Sequence, residues 1–181
     1  LVKRNFRADQ PNHLWVADFT YIQTHSGWVY TAFIIDVFSR AIVGWKVSTR
    51  MNTDMVLDAL EQALHDRGMP KNVIHHSDRG VQYLSIRYTN RLEAANLRAS
   101  VGTTGDSYDN ALAETVNGLY KTEVIEYLKA DWQGLADVQL ATLNWVDWFN
   151  KKRVHSALGY VSPFEFEAMY YDKINPLGQV A

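Results

Sequence analysis

The sequence predicts an α/β domain built on a mixed five-stranded sheet with helices on both faces. Three observations carry that prediction. Residues 13–49 hold three strand-like runs joined by short turns, the spacing of an antiparallel meander. Two shorter strand-like runs follow, each preceded by a helical pattern long enough for a crossover. The chain then continues in helical patterns alone.

The elements follow in order. HLWVADFTYIQT (13–24) is rich in aromatic and β-branched residues and reads as a strand. THSG (24–27) is a turn. WVYTAFIIDVFS (28–39) is a nearly continuous apolar run, the pattern of a strand covered on both faces. RAIVGWKVST (40–49) is the third strand. Asn52 or Thr53 can cap the helix that follows, whose Val56, Leu60, Ala63 and Leu64 share one stripe. Gly68 and Pro70 end it. VIHHS (73–77) is the fourth strand, LSIRYTNRLEAAN (84–96) a helix and RASV (98–101) the fifth strand. GTTGDSYDN (102–110) is a loop with Gly102 and Gly105, and mobility is expected there. ALAETVNGLYKTEVIEYL (111–128) and the longer LADVQLATLNWVDWFNKK (135–152) read as helices. In SPFEFEAMY (162–170), Ser162 precedes Pro163 and stands three residues before Glu165, which is a capping box. The order β-β-β-α-β-α-β-α is that of the ribonuclease-H-like fold. The reading divides the chain into a lead-in (1–12), a core (13–130) and C-terminal helices that complete the same domain (131–181).

Composition narrows the classes. A chain of 181 residues can bury about 70% of its unfolded surface in one domain. With 47% hydrophobic and 21% charged residues it is globular rather than disordered. It has no Cys, which removes disulfides and thiol chemistry. No apolar run reaches membrane length and no signal peptide opens the sequence, so a cytoplasmic protein is expected. The net charge of −2 exerts no global pull on nucleic acid, but it hides basic clusters at Lys3, Arg4 and Arg7 and at Lys151, Lys152 and Arg153. The opening LVKRNFRADQPN lacks an initiator Met, so a piece of a longer protein is expected.

Three acids stand out. Asp18 lies mid-strand on the face of Val16, in a run that is apolar on both sides. A lone carboxylate buried there costs several kcal/mol unless a cation or hydrogen bonds compensate it. Asp78 ends the fourth strand, which in a mixed sheet can lie beside the first; alone, an Asp before Arg-Gly is a turn residue. Glu114 lies on a helix, sharing its face with Asn110, Asn117, Gly118 and Lys121; alone, it is a surface Glu. Asp36 is a fourth acid, at the end of the second strand, and is read as structural.

Taken together the acids say more. Strand acid, strand-end acid and helix acid, with 35 residues between Asp78 and Glu114, resemble the pattern of DDE transposases and retroviral integrases. The flanking words HLWVADFTYI (13–22), IIDVFSR (34–40), HSDRGVQY (76–83), SYDNALAETVNGLYKTE (107–123) and HSALGYVSPFEFE (155–167) resemble insertion-sequence transposases, above all the insertion-sequence-three family. The resemblance covers about residues 9–168. It implies a ribonuclease-H-like catalytic core, with Asp18, Asp78 and Glu114 as the catalytic, metal-binding triad. It implies DNA as partner, meaning transposon terminal repeats and target, with at least a dimer on DNA. It also implies an upstream DNA-binding region outside this sequence, and action at the bacterial nucleoid. Lys121 matches a basic residue that the family places two turns after its Glu.

Phosphodiester chemistry suits such a triad. Two Mg²⁺ ions, with Mn²⁺ as a substitute, can activate an attacking oxygen and stabilise a leaving one. Three carboxylates suit a hard cation. Asp18 is expected to bridge both ions, with Asp78 and Glu114 each holding one. The neighbouring His75 and His76 point to opposite strand faces, so one zinc ion does not suit both. DNA contacts are expected from Lys121, Asn110, Asn117, Lys151, Lys152, Arg153 and His155; solvated or helix-capping roles are the plainer reading of the basic ones. Two rival functions stay open: a metal nuclease of the same fold that cuts without joining, and a non-catalytic DNA-binding or assembly module.

Overall fold

A computed structural model describes residues 7–101, 110–128 and 131–176. β1 (Leu14–Thr24), β2 (Gly27–Asp36) and β3 (Ile42–Ser48) form the antiparallel meander. α1 (Thr53–Asp66) leads to β4 (Ile74–Ser77), and α2 (Ile86–Ala94) to β5 (Arg98–Val101). The sheet order is β3-β2-β1-β4-β5, with β4 parallel to β1 and β5 parallel to β4. α3 (Ala111–Tyr120), α4 (Leu135–Lys151) and α5 (Pro163–Ile174) follow. This is the expected ribonuclease-H-like arrangement, with β1 at its centre.

Alternation along β1 divides the interior into two layers. Trp15 and Ala17, with Phe19 beside them, pack against Leu60 and Leu64 of α1 and Tyr88 and Leu92 of α2. Val16 and Ile22 face the other way, into a cluster with Val116 and Tyr120 of α3 and Trp145 and Phe149 of α4. Asp18 belongs by alternation to this second face, the α3 side.

The caps stand where side-chain chemistry requires them. Asn52 Oδ1 accepts the Met55 N–H at 3.1 Å, and Gly68 takes a φ of +72° just past α1. Ser162 Oγ accepts the Glu165 N–H at 3.3 Å while Glu165 Oε2 accepts the Ser162 N–H at 3.1 Å, the reciprocal box expected at α5.

Two departures from the sequence reading have a visible physical cause. β2 ends at Asp36, three residues before the apolar run does. The Asp36 carboxylate accepts the Phe38 N–H at 2.9 Å, and Arg40 has a φ of +63°, so 37–40 turn back toward β3. The helix carrying Glu114 does not run uniformly to residue 128. It widens into a π-helical turn over Lys121–Glu126, with the Tyr127 N–H donating to Thr122 O at 3.0 Å. The Tyr120 hydroxyl is tied to Thr142 Oγ1 at 2.7 Å, while Glu123 accepts from Trp145 Nε1 at 2.9 Å. These tertiary anchors, one just before the widening and one within it, leave no mark in the residue pattern. The loop expected to be mobile, 102–110, lies outside the described residues apart from Asn110.

Asp36 is part of a buried ionic cluster. Arg67, after α1, donates to Glu167 of α5 at 2.6 and 2.8 Å and lies 3.5 Å from Asp36. Ser39 Oγ donates to Glu167 at 2.6 Å. The C-terminal motif thereby ties α5 to the end of β2 and of α1. Among the described residues no helix is long and apolar enough to cross a membrane.

Candidate active site

β1 and β4 run parallel, paired from Leu14–Ile74 to Ala17–Ser77. Asp18 is the next residue on β1, and Asp78 is the first residue past β4. Parallel neighbours lie about 4.8 Å apart, so the two carboxylates start from adjacent backbones. Asp78 stands where β4 gives way to a turn. Its Oδ1 accepts the Gly80 N–H at 2.8 Å, and a Cβ on Gly80 would stand 2.9 Å from that oxygen. Glycine lets the carboxylate lie back on its own turn.

α3 brings the third acid. Two asparagines dock the helix on β1. Asn110 Nδ2 donates to Ala17 O at 3.0 Å, and Asn117 Nδ2 donates to Asp18 Oδ2 at 3.0 Å. They flank Glu114 at −4 and +3, so the face that carries Glu114 lies against the Ala17–Asp18 stretch. Asp18 Oδ1 accepts the Phe19 N–H at 2.8 Å. The Asp18 carboxyl is pushed up to about 6, first by burial and further by repulsion from Asp78 and Glu114; the Phe19 and Asn117 bonds oppose this. The three acids therefore share one electrostatic environment.

They are not gathered into one ligand set. Among the described residues no three His, Asp or Glu side chains stand close enough together to hold an ion. Asp78 is folded onto Gly80 and Glu114 is exposed, so the triad expected from the motifs is adjacent but unassembled. The donor chemistry still fits a hard divalent cation. Asp78 and Glu114 both repel the Asp18 carboxylate, which otherwise meets only neutral donors; a cation would relieve that repulsion.

The expected DNA contacts divide. Asn110 and Asn117 are buried, and their Nδ2 groups donate to β1, at Ala17 O and Asp18 Oδ2. Lys121 lies 5.3 Å from the centre of the Tyr21 ring. Arg153 donates to Glu123 at 2.6 and 2.8 Å, and His155 is buried against the Phe149 ring at 4.9 Å. Packing therefore engages both, where the sequence suggested phosphate contacts. Lys151 pairs with Asp147 at 2.6 Å, and Lys152 is exposed. This cluster ends α4, whose Asn150 bonds both backbone groups of Ile42 on β3, at the opposite sheet edge from β5. The structure does not bring it to the acids.

His75 and His76 take separate partners, Tyr88 OH at 2.7 Å and Ser100 Oγ at 3.0 Å. A further residue borders the site. Tyr83 is buried, stacks on Phe19 at 6.3 Å, and has its hydroxyl pKa raised by burial, then by Tyr88, Asp18 and Asp78. It falls inside the HSDRGVQY word, which was the only signal for it.

Comparison with known proteins follows from this geometry. Residues 8–107 match the integrase core domain family, and residues 95–163 match a second family of the same description. The chain belongs to the integrase core domain family. Its relatives bear out the resemblance read from the motifs. It is 57% identical over 173 residues to the transposase for insertion sequence element IS629 of Shigella sonnei, covering 96% of this chain and 57% of that one. It is 53% identical to the putative transposase for IS986/IS6110 of Mycobacterium tuberculosis, covering 94% and 63%. It is 39% identical to transposase InsF for IS3A of Escherichia coli, covering 92% and 58%. The chain thus spans about three fifths of the length of these relatives. Among solved structures, the core superposes on the integrase catalytic core domain of HTLV-2, determined with magnesium. The TM-score is 0.70 at 20% identity, covering 89% of this chain and 99% of that one. A chain of a simian T-cell lymphotropic virus intasome gives 0.76 at 18% identity, covering 89% and 56%. At these identities the likeness is one of fold.

Proposed function

We propose that this integrase-type core is the catalytic part of a metal-dependent transposase, which nicks DNA at transposon ends and joins the freed 3′-hydroxyl to target DNA. One observation carries the reading: Asp18 and Asp78 side by side at the end of the β1–β4 ladder, with the helix of Glu114 pinned to Asp18 by Asn117. Mg²⁺, or Mn²⁺ in its place, would be held by Asp18, Asp78 and Glu114, two ions to a site. Bound ions of this kind activate an attacking oxygen and neutralise charge on the leaving one. The magnesium of the HTLV-2 core and the transposase relatives support the assignment.

The chain's own residues do the positioning. β1 presents Asp18 from a rigid central strand. Asn117 fixes one oxygen of Asp18 by donating to it, so the other carboxylates have a fixed point to assemble against. Asp78 joins them by leaving Gly80, an exposed hydrogen bond of small net value. Lys121 is the basic residue on the Glu114 face and suits a phosphate of the bound strand. Joining two ends implies at least a dimer on DNA, acting in the bacterial cytoplasm at the nucleoid.

Asp78→Asn and Glu114→Gln each remove a charge at a lightly packed position. Both variants should fold as the parent does, by circular dichroism and thermal melting, and should lose Mn²⁺-dependent nicking of transposon-end DNA. Retained nicking would sink the assignment. Joint molecules formed with an added target separate a transposase from a nuclease that only cuts.

A further inference from the structure

The two elements that carry the acids meet again farther on. Along β1, Tyr21 lies three residues past Asp18, about 10 Å at strand rise. Along α3 and its π turn, Lys121 lies seven residues past Glu114, about 10 Å at helix rise. Both paths end at one contact, with Lys121 Nζ 5.3 Å from the Tyr21 ring centre. By alternation Tyr21 belongs to the opposite face of β1 from Asp18. The contact is possible because β4 pairs with β1 only as far as Ala17, which leaves the β1 edge beyond Asp18 free of that strand.

Tyr21 does not stand alone. Trp28 on β2 is diagonal to it across the hairpin, opposite Gln23. The two rings are 5.2 Å apart at 84°. Tyr21 is 54% exposed and Trp28 49% exposed, whereas their strand neighbours Ile22 and Val29 are 5% and 1% exposed. A strand pair that buries most of its other apolar residues thus ends in two aromatic rings open to solvent, propped on each other, with a lysine ammonium over one side of the Tyr21 ring. An aromatic face next to a cation is the combination that holds single-stranded nucleic acid: the ring stacks a base and the cation meets the adjoining phosphate.

We propose that Tyr21, Trp28 and Lys121 form a stacking site for an unpaired base of the DNA strand held at the acids, about three stacked nucleotides from the reacting phosphate at 3.4 Å each. This rests on the DNA-cutting reading above, which already gives Lys121 a phosphate, and adds the two aromatic contacts that reading does not need. Stacking on an aromatic platform is tolerant of sequence, so the site grips a frayed end without selecting it.

The test is fluorescence anisotropy in EDTA, where no cutting occurs, with the whole 181-residue chain. The probes are labelled oligothymidylate of roughly 15 nucleotides and an abasic strand of the same length. The wild type should bind the base-bearing strand about five-fold or more tightly than the abasic one. Trp28→Ala and Tyr21→Ala should bring that ratio toward one, and Trp28→Phe should keep most of it. Lys121→Ala should weaken both strands alike and flatten the salt dependence. Equal affinity for the two strands in the wild type, or a ratio unmoved by Trp28→Ala, would overturn the proposal; a surface that packs against another protein instead gives that result. Nicking by the wild type and Asp78→Asn is scored in parallel. Nicking that needs Asp78 with no base preference removes the stacking site alone. Base preference with nicking retained in Asp78→Asn removes the catalytic reading alone.

Discussion

Asp18 and Asp78 are the first residues past the Ala17–Ser77 rung that ends the parallel ladder between β1 and β4. The sheet itself therefore sets two carboxylates beside each other, before any side chain chooses a rotamer. Burial and this neighbour hold the Asp18 carboxyl up at about 6. A site under such repulsion is poised for a cation.

Asn117 should matter more than a surface amide does. Asn117→Ala removes the donor to Asp18 Oδ2 and one of the two bonds that dock α3 on β1. The expected cost is about 1–2 kcal/mol in urea unfolding. Nicking should fall at least ten-fold, and the Mn²⁺ concentration needed for half-maximal nicking should rise. Loss of stability with an unchanged Mn²⁺ requirement would reduce Asn117 to a packing residue.

Acid should destabilise the fold through its buried histidines. Burial lowers the His75 imidazole from 6.5 to about 4. His155 is lowered to about 4 by burial, then by Arg153 and Arg40. The unfolded chain then binds protons that the folded chain refuses between these values. The stability is complete above about pH 6.5 and is lost as pH falls toward 4, by at most about 3 kcal/mol for His75 and by less for His155, whose charge interactions solvent screens. Urea unfolding at pH 7 and pH 5 measures the slope. His75→Asn should flatten it; an unchanged slope would rule out His75 as a source.

Arg67 holds the C-terminal helix to the rest of the molecule. Its guanidinium lies between Glu167 at 2.6 Å and Asp36 at 3.5 Å, and Asp36 is fully buried. Arg67→Ala leaves two carboxylates in the interior without their cation, at a cost of about 3–5 kcal/mol. The melting temperature should drop, and proteolysis should release α5 first. A melting temperature equal to the parent's would contradict this role.

The contact of α1 with the sheet depends on one small residue. A Cβ on Gly44 would stand 2.3 Å from Ala59 O and 3.0 Å from the Ala63 Cβ. Gly44→Ala should cost about 1–3 kcal/mol by forcing α1 off β3, readable as a lower urea midpoint.

Periodicity and capping made most of the fold legible. Alternation in HLWVADFTYIQT identified a strand covered on both sides, and the Ser162–Glu165 box marked the α5 start, because both signals are local. Of the acids only Asp18 stood out by position, in a strand apolar on both sides; Asp78 and Glu114 were singled out by their spacing and by flanking words that resemble a family. The rest depends on contacts distant in sequence. The bond from Asn110 to Ala17 spans 93 residues, and that from Asn117 to Asp18 spans 99. Arg153 and His155 looked like a basic patch, but the π turn carries Glu123 to Arg153 and the Phe149 ring takes His155. How near Glu114 stands to the other two acids was left open by the sequence; a helix position fixes which way a side chain leaves the axis, not how far it reaches.

The most direct measurement is a crystal of this chain soaked in Mn²⁺, with anomalous scattering maps around the three acids. The account predicts a peak ligated by Asp18 and Asp78, with Asp78 turned away from Gly80 and Glu114 drawn in. Saturating Mn²⁺ with no peak at Asp18, and Asp78 still bonded to Gly80, would contradict it.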